Sequence, residues 1–167
     1  LIAIGAGETV MLKGIHPLLS PELLQVLASM GHGDEIAIVD ANFPAASLGP
    51  RLIELRGASS PEVLDAVLTL LPLEAELMPA AYTMEAVGDP DAVPECVADF
   101  AAVFTEHGLG DVEIDHLGRY PFYDRAKRAF ALVRTGELRP YGNILLVKGI
   151  VNRYEPTGGA DPRASPR

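Results

Sequence analysis

Apolar residues recur along this chain in two alternating rhythms. Leu23, Leu24, Leu27 and Met30 fall at helical spacing behind Ser20-Pro21-Glu22, which offers an N-cap hydroxyl, a proline suited to the first helical position and a carboxylate for the first turn. The spacing predicts a helix that stops at Gly31, in a left-handed conformation, just before His32. Ser60-Pro61-Glu62 repeats the device, with Ser60 as the expected cap, and Val63, Leu64, Val67, Leu68 and Leu71 carry a second helix to Pro72. A third helix is predicted from Pro94 to His107 with Gly108 as its stop, and a fourth from Pro121 to Phe130.

Short apolar runs between these helices suit buried strands: Ile36 to Val39, Leu52 to Leu55, parts of Leu77 to Val87, Val112 to Leu117, and Ile144 to Val147. Leu132 and Val133 allow Ala131 to Arg134 either to prolong the fourth helix or to form a strand, and strand is the reading adopted. The alternation predicts an α/β fold, a single domain with a central sheet flanked by helices. Its working part is residues 11–152. Residues 1–10 read as an N-terminal extension ahead of Met11, a natural start, and residues 153–167, rich in Pro, Gly and Ala, as a mobile C-terminal tail.

Charge narrows the partners. With 13 Lys plus Arg against 23 Asp plus Glu, the net charge of −10 opposes binding to nucleic acid or to an anionic membrane. The one basic cluster, Arg125, Lys127 and Arg128, reads as a solvated helix face. LIAIGAGETV lacks the basic start and long apolar stretch of a signal peptide, and no window approaches a membrane span, so the expected compartment is the cytoplasm. Cys96, the single cysteine, has no His or Cys neighbour at zinc-ligand spacing and reads as a buried structural thiol.

Gly-x-Gly-x-x-Gly, Walker-type and Gly-x-Ser-x-Gly motifs are absent, and Gly5-Ala6-Gly7 lacks the third glycine of a dinucleotide fingerprint. What remains is a set of polar residues at element ends: His32 after the first helix, Asp40 after the first strand, Arg119 after a later strand, and Tyr141-Gly142-Asn143 leading into the last. Rigid elements of α/β folds aim such residues into a shared crevice. Each also has a plain structural role open to it. His32 could be a cation at a helix end, Asp40 the cap of the turn into Asn42-Phe43-Pro44, Arg119 a surface ion-pair partner, and Tyr141-Gly142-Asn143 an ordinary turn. His16, His107 and His116 read as structural.

Three motifs in fixed order give this set a meaning: Gly-His-Gly-Asp-Glu at 31–35, Asp-Ala-Asn-Phe-Pro at 40–44 and Tyr-Gly-Asn-Ile-Leu at 141–145. With them, Met11 to Ser47 and Arg119 to Gly149 closely resemble the two ends of the L-fucose mutarotase and D-ribose pyranase family, and the middle agrees more loosely. The resemblance implies that family's fold and a sugar mutarotase working without cofactor or metal. It places the proton-donor histidine on His32 and the sugar-binding residues on Asp40, Arg119, Tyr141, Gly142 and Asn143. It also implies a ring-shaped homo-oligomer with sites near subunit boundaries. Phe-Tyr-Asp-Arg at 122–125 and Gly142 are similar to the fucose branch; Asn42 stands where some fucose enzymes carry a second histidine. D-ribose pyranase activity and a non-catalytic sugar-binding oligomer are the alternatives.

Mutarotation opens a hemiacetal ring and recloses it on the other face of the carbonyl, so one proton goes to the ring oxygen and another leaves the anomeric hydroxyl. Histidine, with both protonation states available near neutral pH, suits the acid. Asp40, Tyr141 or a water could be the base. Residues 32 and 40 flank a strand, and eight extended residues reach up to roughly 26 Å, far beyond one monosaccharide. Either the His32 loop folds back or the two residues serve sites shared between subunits.

Overall fold

The computed structural model describes residues 12–49, 51–74 and 79–151. The extension at 1–10, the start at Met11, Leu77 and the tail at 153–167 lie outside the described residues. In chain order the elements are α1 (Pro21–Ser29), β1 (Glu35–Val39), α2 (Ala45–Leu48), β2 (Arg51–Leu55), α3 (Ser60–Leu68), β3 (Ala81–Met84), α4 (Glu95–Glu106), β4 (Ile114–Leu117), α5 (Arg119–Arg128), β5 (Ala131–Thr135) and β6 (Ile144–Val147).

The strands form one six-stranded sheet in the order β2-β5-β1-β6-β3-β4. β6 pairs antiparallel with both β1 and β3, while β2 with β5, β5 with β1, and β3 with β4 run parallel. Five strands therefore end at the same edge of the sheet, and β6 alone starts there. Helices cover both faces. Leu23, Val26 and Leu27 of α1, Val63, Leu64 and Val67 of α3, and Val97, Phe100 and Phe104 of α4 pack with Ile36, Ile38, Val133 and Ile144. On the other face Ala45 of α2 and Phe122 and Ala126 of α5 pack with Ala37, Val39, Leu132 and Leu145. Double coverage explains why β3 and β6 are buried throughout, β6 as an unbroken apolar run and β3 with only Thr83 polar.

Several expectations are met and several are corrected. Ala131 to Thr135 is a strand, and its place between β2 and β1 makes it central. Ser20 caps α1 by accepting from the Leu23 N–H, and Gly108, at φ +71°, ends α4. Gly31 does not take the left-handed conformation: α1 leaves through Met30 in extended geometry, and Gly33 makes the positive-φ turn at +80°. Ser60 is not the cap of α3; Ser59 is, in a capping box with Glu62. α5 starts at Arg119, before Pro121, since a proline within the first turn forfeits no intrahelical hydrogen bond. The one-turn α2 went unread because four residues are too few to show a period. Arg125 is not on a solvated face: its guanidinium lies 3.6 Å from the centre of the Tyr82 ring and 2.6 Å from Glu35, locking α5 onto β3 and β1.

Candidate active site

The edge where five strands end carries a cavity of about 210 Å³ lined by Asp40, Asn42, Phe43, Met84, Arg119, Tyr123, Pro140, Tyr141 and Asn143. Its walls come from the exits of β1, β3 and β4, the first turn of α5 and the turn that enters β6. Four of the six sequence-predicted site residues, Asp40, Arg119, Tyr141 and Asn143, thus converge although up to 103 positions separate them. A space this small suits a monosaccharide and not a dinucleotide.

At its floor Asp40 and Asn143 are both buried and doubly joined. Asn143 Nδ2 donates to Asp40 Oδ2 at 2.7 Å, and the Asp40 N–H donates to Asn143 Oδ1 at 2.9 Å, which fixes the orientation of the amide. Asp40 Oδ1 accepts from the Asn42 N–H at 2.9 Å, so the turn-capping role and the pocket role coexist. Burial pushes the Asp40 carboxyl above its usual range, against the hydrogen bonds from Asn143 and the backbone of Asn42 and Phe43, which act to lower it.

Tyr141 is the only non-glycine residue with positive φ (+63°) among the described residues, a conformation that costs free energy and persists only when neighbours hold it. Its hydroxyl accepts from the Val87 N–H at 2.9 Å, which leaves the phenolic hydrogen free to donate. Arg119 is exposed, and no ion pair to it occurs among the described residues, so the sequence reading of a surface ion-pair partner fails. Phe43, Tyr123 and Met84 supply an apolar wall, with Phe43 and Tyr123 edge to face at 5.1 Å. Sequence reasoning marked Asn42 only as a departure from some fucose enzymes and did not single out Phe43, Tyr123 or Met84. Phe43 and Tyr123 lie inside the stretches that carried the resemblance, but Met84 has no signal before the topology is known.

Two predicted residues fall elsewhere. Gly142 lies beneath the pocket: a Cβ there would sit 2.6 Å from Glu137 Cγ and 3.3 Å from Cys96 Sγ, and its carbonyl accepts from the Ser60 hydroxyl at 2.7 Å. His32 precedes β1 at the opposite edge of the sheet, where Gly33 bonds to the Lys148 carbonyl beyond β6. Its loop does not fold back. Nε2 lies 2.5 Å from Oε2 of the buried Glu74, and the ring is about half exposed. The other histidines stand apart from the cavity: His16 and His107 both face Asp65, and His116 contacts Thr83. Cys96 is buried, and its thiol is pushed up to about 12 by burial first and then by the neighbouring Glu137. Among the described residues no group of three His, Cys, Asp or Glu is arranged to hold a metal ion.

A three-layer α/β fold with a small pocket at its strand ends, floored by a paired Asp and Asn and walled by Phe43, Tyr123 and Met84, defines the class of protein. Residues 13–151 match the RbsD / FucU transport protein family, and the chain belongs to that family. It is 43% identical to a fucose mutarotase from Bos taurus over 152 residues, 85% of this chain and 95% of the relative. The crystal structure of a fucose mutarotase in complex with L-fucose from Streptococcus pneumoniae is 41% identical, superposes with a TM-score of 0.79, and spans 84% of this chain and 99% of that one. RbsD of Bacillus subtilis complexed with D-ribose is more distant, at 26% identity and a TM-score of 0.66 over 84% of this chain and 99% of that one.

Proposed function

We propose that this chain is a sugar mutarotase acting on L-fucose, an isomerase that exchanges α and β anomers by opening and reclosing the ring. The observation that carries this reading is the convergence of Asp40, Arg119, Tyr141 and Asn143 on one cavity at the strand ends. The 43% and 41% identities to fucose mutarotases over most of the chain support L-fucose over D-ribose. Arg119 and the Asn143–Asp40 pair bind sugar hydroxyls. Asp40, whose burial makes it a stronger base than an exposed carboxylate, takes the anomeric proton.

His32 supplies the acid. Its carboxylate partner Glu74 fixes the proton of the neutral ring on Nε2, leaving Nδ1 to pick up and deliver the proton for the ring oxygen. Because His32 and the cavity occupy opposite edges of one sheet, His32 serves the cavity of a neighbouring copy, and with the ring that the family resemblance implies the working form is a homo-oligomer larger than a dimer. No helix among the described residues is long and apolar enough to cross a membrane.

Saturation-transfer NMR at the anomeric proton tests the reading. The wild type should speed anomer exchange of L-fucose over buffer, and His32→Ala, folded and assembled, should lose at least about a hundredfold of that rate. No enhancement with L-fucose, D-ribose or D-galactose would leave a sugar-binding oligomer; an active His32→Ala would remove His32 from the mechanism.

A further inference from the structure

The turn from Gly136 to Asn143 carries two of the four converging pocket residues, yet it belongs to no helix or strand. Something other than a backbone ladder must hold Tyr141 in its left-handed conformation. The far side of the turn shows what does. Glu137 is 5% exposed and lines no part of the cavity. Its Oε1 accepts from both the Arg139 N–H and Arg139 Nε at 3.0 Å, and its Oε2 from Arg139 Nη2 at 2.9 Å, a fork that closes the turn on itself. Arg139 also reaches α4 through Asp99 at 2.7 Å and Glu95 at 3.1 Å.

The Glu137 carbonyl accepts from the Ala41 N–H at 2.9 Å, one residue beyond Asp40, and the Glu137 N–H donates to Thr135 Oγ1 at 3.2 Å. Gly142 rests directly on the Glu137 side chain, so close that even a methyl group would collide with it. One buried carboxylate therefore touches the turn on the near side of Tyr141 through Arg139 and on its far side through Gly142, and its own backbone joins the turn to the strand exit that carries Asp40.

We propose that Glu137 is a positioning residue for sugar binding: through its fork with Arg139 and its packing under Gly142 it sets the placement of Tyr141 and Asn143 in the cavity. The kinetic half of this proposal rests on the mutarotase reading; the structural half does not. Glu137→Gln keeps the shape and removes the charge and one limb of the fork. With L-fucose, KM should rise roughly ten- to hundredfold and kcat should change far less, because a shifted turn weakens substrate binding more than it alters the proton-transfer groups.

Hydrogen exchange supplies a readout free of catalysis. The Val87 N–H is held by the Tyr141 hydroxyl, so it should exchange at least about tenfold faster in Glu137→Gln once Tyr141 moves. Glu137→Asp, which restores the charge but not the reach, should lie between. Wild-type KM and wild-type Val87 exchange in a folded Glu137→Gln protein would overturn the proposal. So would a lowered melting temperature with both readouts unchanged, which is the mark of a purely structural carboxylate. A wild type inactive on L-fucose with faster Val87 exchange in the variant would sink the mutarotase reading and leave the positioning role standing. If Glu137→Gln does not fold, Arg139→Lys, which keeps the charge and loses the fork, carries the same two expectations.

Discussion

Asp40 is held away from water while the role proposed for it calls for a charge, and that tension is measurable. Desolvation raises its carboxyl above the ordinary value of 3.8, and Asn143 acts in the opposite direction. If the ionised form accepts the anomeric proton, activity falls on the acid side as Asp40 takes up a proton, and that limb lies above the range of an exposed aspartate. Asn143→Ala removes a hydrogen bond that favours the anion, so the remaining activity should lose its acid side at higher pH than the wild type. A pH profile of exchange rates checks this, and a limb that stays in place or moves down would remove Asp40 from the base role. At this scale the sequence was partly legible. Asp40, Arg119, Tyr141 and Asn143 stood out as polar residues at element ends, whereas Met84 looks like any core methionine until β3 is known to end at the same edge as β1. Gly142 was legible as important, but its reason was not: the need for a bare Cα comes from Glu137 and Cys96, which no local pattern connects to it.

Helix starts show how a good local rule can slip by one residue. Ser59 and Ser60 both precede Pro61, and only the three-dimensional partners separate them. Ser59 faces solvent and shares reciprocal bonds with Glu62. Ser60 is buried, donating to the Gly142 carbonyl with Thr135 Oγ1 2.9 Å away, and Thr135 in turn donates to the Val39 carbonyl. The two serines should therefore respond differently. Ser59→Ala should cost about 1 kcal/mol, the usual effect of losing an N-cap, and leave sugar exchange intact. Ser60→Ala, which strands a buried carbonyl, should cost more, about 1 to 3 kcal/mol. Urea unfolding of both variants decides the order, and a larger loss at Ser59 would show that the Gly142 carbonyl does not depend on the Ser60 hydroxyl. Strand order lay beyond the sequence. Apolar runs located all the strands, but nothing local tells β6 to insert antiparallel between β1 and β3, and that insertion brings Asn143 beside Asp40.

At the scale of the whole molecule, β1 is both bridge and divider. It delivers Asp40 to one edge of the sheet and leaves His32 at the other, so on the proposed mechanism a single chain offers a pocket without its acid and an acid without its pocket. Light scattering after size exclusion should show an assembly larger than a dimer; a stable, active monomer would contradict the shared site. Mixing tests the sharing directly. Co-refolded His32→Ala and Asp40→Ala chains, each inactive alone, should regain roughly a quarter of wild-type activity, because random assembly pairs a native His32 with a native Asp40 at about one boundary in four. Confirmed mixed oligomers without rescue would overturn the shared site. A strand that separates the two halves of the chemistry also ties turnover to concentration. If His32 and Asp40 meet only between copies, a lone chain, however well folded, is silent, and rate per chain should fall away on dilution through the dissociation range instead of holding constant. A variant that merely loosens the contact between copies would then pass for a catalytic mutant in dilute assay and recover at high concentration.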